Sequence, residues 1–474
     1  MNNTQQSSVS DLSKINTEVI EPLKCYTHCQ IIGFGPACLS LLIAADRLGV
    51  LVPLLEKGLI IHEKSVDKNT LLKSGINYSL PSNSDALDFL SGISKKGLFA
   101  SVLSMSAAKI IYATGKNGIS LQIVAMLIED IRQCFIDLST RYVNSHILYN
   151  SQVESIDQEA QLWSLRTSNR TAITEIMRTT TPILQPKNTK KSETQQTHYT
   201  HRIVSPNIVM ASGSYPYIPQ EISQYCEHNN ITLLHSEQVL RENNLIVKVT
   251  DQESPIVIIG ASHSGFSVLH QLLSQHSGSQ QNIKIIHRSM IRRMHLSIPE
   301  AIAAGESFNQ DTDICPENGR VFRFQGLYKR SKRLFEDVKN NHYPFVSLHQ
   351  YIQKEGITQH IQNASIIVSA TGYRPMLPVI RDSQQHTINF IKQGSSLSLN
   401  NNGNLCDIEG TPIAGLMAIG LGFGRKHGGI GEPSYLSAPV GINIFQGADG
   451  EAICQQLNAT TLLSNGNQYE EKLI

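Results

Sequence analysis

Apolar residues fall in short blocks along this chain, and their spacing sets the expected elements. Residues 1–24 are polar and read as a flexible tail. From Thr27 onward, HCQII is a short apolar run. GFGPAC (33–38) follows as a glycine turn, then LSLLIAADRLG with helical spacing, then GLIIHEK as a second strand. That order is a βαβ unit. Residues 118–142 form a long amphipathic pattern, with Ile123, Met126, Leu127, Ile131, Phe135 and Leu138 expected on its buried face. SHILYNSQVESID (145–157) and AQLWSLRT (160–167) alternate and suggest a pair of strands. Residues 168–200 turn polar and read as an inserted loop. RIVSPNIVMASG (202–213) is the next strand, ending in a small-residue turn. A second βαβ unit starts at Ser254, with PIVIIG as strand, GASHSG (260–265) as turn, FSVLHQLLSQ as helix and IKIIHR as the following strand. Residues 299–360 carry no clear period. ASIIVSATGYRP and GTPIAGLMAIG are further strand-and-turn segments. LGFGRKHGGIGEP (421–433) reads as a glycine-rich loop, and a last helix follows SAPVGINIF.

Composition narrows the class. At about 150 residues per domain, 474 residues allow about three domains, or two with insertions. Hydrophobic residues make up 40% and charged residues 17%, enough to bury a large core and to exclude wholesale disorder. Forty basic residues against 39 acidic give a net charge of +1, without the basic excess that nucleic acid or an anionic membrane calls for. The apolar stretch 37–61 is interrupted by Asp46, Arg47, Glu56 and Lys57, so it is not a membrane span. No basic stretch precedes an apolar run at the N-terminus, and a cytoplasmic protein is expected. The eight cysteines contain no CxxC and fit no zinc spacing, so no metal site is expected.

Two glycine turns carry the candidate chemistry. In Gly33-Phe34-Gly35-Pro36-Ala37-Cys38 the first two glycines suit a tight turn and close approach of backbone N–H groups to a phosphate at a helix N-terminus. Cys38 stands where a third glycine usually lets helix and strand pack closely. Glu63 ends the second strand and is placed to bond a ribose hydroxyl; Glu56 is its rival. Glu63 lies thirty residues after Gly33 rather than about twenty, with VLVPLLEKG supplying the extra length. In the second turn Ser262 replaces the middle glycine between Gly260 and Gly265. The strand after it ends at Arg288, where an acid would favour NAD, so a 2′-phosphate is expected there. Arg292 and Arg293 stand nearby as helpers. One site for a tightly held acceptor and one for a hydride donor is the arrangement of a flavoprotein reduced by a nicotinamide.

These motifs, in this order over about residues 27 to 457, resemble the FAD/NAD(P)H flavoproteins with two dinucleotide-binding domains, and most nearly the class B flavin monooxygenases. That group holds the flavin-containing and the N-hydroxylating monooxygenases. GFGPACLSLL is similar to the family's FAD fingerprint. Ala211-Ser212-Gly213 resembles its first exit from the FAD domain, and Ala370-Thr371-Gly372-Tyr373 its second crossing. Gly415 to Gly420 resembles the late strand beside the flavin. The resemblance places Gly441, Ile442 and Asn443 at a helix N-terminus facing the flavin. Loop 421–431, rich in glycine and basic residues, reads either as part of a mouth receiving an anionic substrate or as a flexible surface loop. It implies an α/β fold of two Rossmann-like domains, with the NADPH domain (219–365) inserted in a discontinuous FAD domain (25–218 and 366–474). It also implies FAD and NADPH as cofactors, and O2 and a small molecule as substrates. A nucleophilic nitrogen or sulfur would be oxygenated through a flavin C4a-hydroperoxide.

The chain departs from the family's FxGxxxH signature. Asn229 and Ile231 occupy the first two positions, and only His235, the one candidate acid or base, and Ser236 agree. Two other readings stay open on the residues alone: a flavoprotein reductase without oxygenation, and a nucleotide-binding protein without activity. Nothing in the sequence selects the substrate or the oligomeric state.

Overall fold

The structure, a computed structural model, describes residues 24–69, 82–168, 202–242, 245, 254–275, 281–315, 318–323, 325–351, 356–393, 396–427, 435–437 and 445–459. The polar insertion beyond residue 168 and the segment Gly441, Ile442, Asn443 fall outside these.

Two parallel sheets organise the chain. The first centres on β2 (Cys29–Ile32), flanked by β3 (Leu59–His62) and β4 (His146–Leu148) on one side. β8 (Asn207–Met210) and β20 (Pro412–Ala418) flank it on the other. The second centres on β11 (Ile256–Ile259). β12 (Ile283–His287) and β13 (Val346–Gln350) lie on one side, β14 (Ile366–Ser369) and β10 (Thr232–His235) on the other. The first sheet continues beyond β20, by an antiparallel pairing, to ten strands, but its five parallel strands are laid out like the five of the second. In each, the strand feeding a glycine turn sits mid-sheet, and the strand ending in a small-residue turn is its neighbour. β2, β3, β8, β11 and β14 are buried along their whole length, as parallel strands covered on both faces must be.

The helices follow the sequence pattern with local adjustments. Helix α1 (Pro36–Arg47) starts with proline in its first turn, where the missing N–H costs nothing. A short helix α2 (Leu51–Lys57) precedes β3 and accounts for the long spacing between Gly33 and Glu63. Helix α3 (Leu121–Ser139) is capped by Ser120, whose hydroxyl accepts from the Gln122 N–H. Its buried stripe is Val124, Leu127, Ile128, Ile131, Phe135 and Leu138. Met126 is 46% exposed, so the face is rotated from the expected one. No single helix among the described residues is long and apolar enough to cross a membrane.

Three expectations change. Residues 202–213 hold two strands rather than one. β7 (Arg202–Ser205) belongs to a separate five-stranded sheet with β1 (Lys24–Tyr26), β6 (Leu162–Thr167), β5 (Val153–Glu159) and β16 (Val379–Arg381), whereas β8 joins the parallel sheet. Pro206, which has no N–H to give a ladder, marks the change of sheet. The stretch 145–157 likewise divides between β4 and β5, and β5 pairs with β6 as expected. The glycine-rich loop begins as a strand, β21 (Phe423–His427), paired with β18 (Ser396–Leu399). In addition, β14 hydrogen-bonds β10 and β11, so the chain leaves the second sheet after Ser369 and not at residue 366.

A polar chain crosses the first core. The Ser151 hydroxyl donates to His62 Nδ1 (2.9 Å), and His62 Nε2 donates to Gln30 Oε1 (3.0 Å). Gln30 Nε2 donates to Ser205 Oγ (3.0 Å), and Ser205 Oγ to the Asn207 carbonyl (2.9 Å). The direction of donation fixes the tautomer of His62, and burial pulls its pKa down to about 3.

Candidate functional site

Both glycine turns lie at the C-terminal edge of their parallel sheets, where open α/β sheets bind ligands. Gly33 has φ of +96°, and a Cβ there would stand 2.5 Å from the Ala211 carbonyl oxygen. Gly260 repeats the geometry: φ is +110°, and its Cβ would meet the Ala370 carbonyl at 2.3 Å. Each turn is therefore pressed onto the small-residue exit of the neighbouring strand, and only glycine fits.

The turns differ at their other positions. A Cβ on Gly35 would meet open space, so a ligand can approach the backbone at that point. Pro36 and Ala37 open α1 behind it. Cys38, at the third position, is fully buried, and burial raises its thiol pKa. In the second turn the roles are exchanged. Ser262 is exposed in the middle, and Gly265 is the indispensable one, because its Cβ would fall 2.0 Å from the Gly260 carbonyl. The first turn favours close approach of a ligand; the second favours close packing of helix on strand.

Glu63 is where the sequence puts it, at the end of β3, and it is buried. Its Oε2 accepts from the Phe34 N–H at 3.0 Å, and its Oε1 accepts from the Ser65 N–H and hydroxyl at 2.8 Å. Phe34 turns its ring into the core, edge-on to Phe135 with centroids 5.7 Å apart, which aims its N–H at the carboxylate. The rival Glu56 is exposed on α2. Gly420, after β20, closes over α1: its Cβ would touch that of Ala37 at 3.0 Å.

In the second sheet Arg288 is exposed just past β12. Arg292 and Arg293 each carry acidic partners of their own. Arg292 pairs with Asp313 (3.3 Å) and lies over the Phe322 ring. Arg293 pairs with Glu306 (2.5 Å) and Glu336 (3.5 Å). His235 ends β10 opposite Ser369, the position that Ala418 holds beside Met210 in the first sheet. Its N–H donates to Gln238 Oε1 (2.8 Å), closing the start of the helix Ser236–Arg241. His235 is thus built into the second unit, at the end of the strand next to β14.

The two crossings between the units form a ribbon. β9 (Ser214–Pro216) runs antiparallel to β15 (Tyr373–Pro375), just beyond Gly213 and Gly372. The Tyr217 N–H donates to the Gly372 carbonyl and the Met376 N–H to the Gly213 carbonyl, both at 3.0 Å. Thr371 Oγ1 donates to the Tyr217 carbonyl, and the Arg374 guanidinium stacks 4.4 Å from the Tyr217 ring centre.

A contact that no local pattern announces joins the units a second time. Asn83 Nδ2 donates to His263 Nδ1 (3.1 Å) and to Ser331 Oγ (3.2 Å), and Lys329 Nζ pairs with Asp85.

Comparison with known proteins agrees with this geometry. A family model described as L-lysine 6-monooxygenase/L-ornithine 5-monooxygenase matches residues 140–296. A CMP-5′-(3-aminopropyl)phosphonate hydroxylase of Streptomyces rubellomurinus is 23% identical over 44% of this chain and 51% of its own length. The chain thus spans about half of that relative. Among solved structures, the ornithine N-hydroxylase of Kutzneria sp. 744, with reduced FAD, NADP+ and L-ornithine, overlays with a TM-score of 0.51 at 13% identity. The overlay covers 92% of this chain and all of that one. The reduced ornithine hydroxylase of Pseudomonas aeruginosa overlays at 0.53 and 12% identity, covering 91% and 99%. The L-lysine 6-monooxygenase of Pseudomonas syringae overlays at 0.51 and 14%, with the same coverage. The chain has the fold of the two-dinucleotide-domain flavoproteins.

Proposed function

We propose that this protein is an FAD- and NADPH-dependent monooxygenase that hydroxylates the nitrogen of a small primary alkylamine. The observation that carries the two-cofactor reading is the duplicated turn, with Gly33 on Ala211 and Gly260 on Ala370. The reaction class is supported by the family match and by the hydroxylases that share the fold. Ornithine, lysine and the aminopropyl phosphonate share one feature, an amine at the end of a short alkyl chain, and that is the substrate class assigned here.

The residues fit the cofactors. Open space at Gly35 and the N-terminus of α1 suit the FAD pyrophosphate, with Gly33, Pro36, Ala37 and Cys38 forming the turn. Glu63 accepts two bonds at Oε1 and one at Oε2, so Oε2 has room for one more and would take a ribose hydroxyl. Gly213 and Gly420 keep side chains out of the space beyond β8 and β20. Gly260, Ser262, Gly265 and Gly372 would frame NADPH, and Arg288 would hold its 2′-phosphate. His235, in the second unit, is assigned no part in the oxygen chemistry. When bound, reduced FAD supplies the two electrons with which O2 is split, one oxygen atom going to the amine and the other to water. The protein's own part is to hold the two cofactors in register and to exclude water.

The test is an absorbance spectrum, then NADPH oxidation in air with L-ornithine, L-lysine or an aminoalkylphosphonate, scoring hydroxylamine against hydrogen peroxide. Hydroxylamine formed in proportion to NADPH supports the proposal. Peroxide alone with every amine favours the reductase. A protein that takes up no flavin ends both readings.

A further inference from the structure

Asn83 is fixed in the first unit. The Ser82 N–H donates to the Ile119 carbonyl (2.6 Å) and the Ala86 N–H to that of Asn117 (3.0 Å), with Ala86 buried in the core that contains β2 and α1. From this anchored strip the Asn83 amide reaches His263, the first residue of helix α4 (His263–Gln275) and the fourth of GASHSG. The imidazole therefore does not point at the ligand side of its own turn. It accepts at Nδ1 from Asn83, which leaves its proton on Nε2, and it also bonds the Gly326 backbone. Helix α5 (Lys329–Lys339) is held by the same strip: Ser331 Oγ accepts from Asn83, and Lys329 Nζ pairs with Asp85 and donates to the Lys116 carbonyl at 3.0 Å. Ser331 is buried, so the contact is part of a packed boundary.

We propose that the Asn83–His263 hydrogen bond is a positioning contact for hydride transfer, setting the distance of the nicotinamide nucleotide's turn from the unit that holds the flavin. This rests on the reading of the two turns given above. In the transfer, a hydride leaves the dihydronicotinamide and is taken by oxidised flavin, giving oxidised nicotinamide and reduced flavin. The reacting atoms must come within about 3–3.5 Å, and a misplacement of about 1 Å costs on the order of 100-fold in rate. Asn83 bonds the side chains of His263 and Ser331 rather than the turn backbone or Arg288, so affinity and rate should separate.

The experiment uses the flavin-loaded protein and the variants Asn83→Ala, His263→Ala and the double variant. Anaerobic stopped-flow reduction over a series of NADPH concentrations gives the limiting rate, and titration with NADP+ gives the Kd. Asn83→Ala is expected to lower the limiting rate about 10–100-fold, with Kd within about threefold. The double variant should be no slower than the slower single one, because both remove the same bond. Hydrogen exchange without nucleotide should quicken at 82–86 and 326–331 in Asn83→Ala. A weakened Kd with an intact limiting rate, additive losses, or unchanged exchange at both segments would overturn the proposal. A wild-type chain that NADPH does not bleach would sink the functional reading instead, and exchange alone would then decide whether this contact docks the two units.

Discussion

The carboxylate of Glu63 and the backbone N–H of Phe34 are hydrogen-bonded at 3.0 Å, so the acid that ends β3 is part of the turn it was expected to serve. An amide in its place keeps one oxygen and turns N–H groups against N–H donors. Glu63→Gln should therefore cost the first unit about 1–3 kcal/mol in urea unfolding and reduce flavin content in the purified protein. Wild-type stability with full flavin content would refute the assignment.

Gly35 and Gly33 should respond differently to the same substitution. Gly35→Ala places its methyl in open space, with φ already at −88°, so the fold should survive and flavin retention fall. Gly33→Ala drives a methyl onto the Ala211 carbonyl under positive φ, and the chain should misfold or lose more than about 2 kcal/mol. Thermal melts alongside flavin absorbance separate the two outcomes.

Restoring a glycine at Cys38 should not help. Cys38 is fully buried inside α1, so Cys38→Gly removes packed atoms and adds the helix cost of glycine, together about 1–3 kcal/mol. Flavin affinity, measured by titration of the stripped protein, should not rise.

Arg288→Ala should weaken NADPH about 10–150-fold while leaving NADH nearly unchanged, the loss of one charge-assisted bond of about 1.5–3 kcal/mol. Equal losses for both nucleotides, read from reduction rates at varied concentration, would remove the 2′-phosphate from this residue.

Acid should destabilise the protein through His62. Its ordinary pKa of 6.5 is held at about 3 in the folded chain, so the unfolded chain binds the extra proton first. This contribution is complete above pH 6.5 and is lost as pH falls toward 3, at up to about 1.4 kcal/mol per pH unit. His28, whose pKa burial also lowers, acts in the same direction. Urea midpoints between pH 7 and 5 should fall less steeply in His62→Gln than in the wild type.

What could be read from the sequence and what could not divide along physical lines. The strands feeding Gly33 and Gly260 are short apolar runs bounded by turn residues, and such runs in a buried parallel sheet need no partner information to be recognised. Glu63 and the exits at Ala211 and Ala370 follow from the same local order. The sheet change at Pro206 depends on which neighbours are free to pair. The engagement of Arg292 by Asp313 and of Arg293 by Glu306 depends on chain returning from outside the motif. Asn83 and His263 are 180 positions apart, and neither carries a pattern that names the other. Met126 and Ile128 show the limit inside a helix: both are apolar, and only the packed neighbours decide which faces inward.

The ribbon of β9 and β15 has a consequence for how such a chain can be taken apart. Tyr217, where the second unit begins, donates its N–H to the carbonyl of Gly372, where that unit ends. The cut ends would therefore already be neighbours if everything between them were removed, and a splice of a few flexible residues would span them. The chain thus enters and leaves the second unit through one doorway, and the contact of Asn83 with His263 latches the two units elsewhere. Exchanging the threaded piece for a relative with another nucleotide preference is a graft with two joints lying side by side.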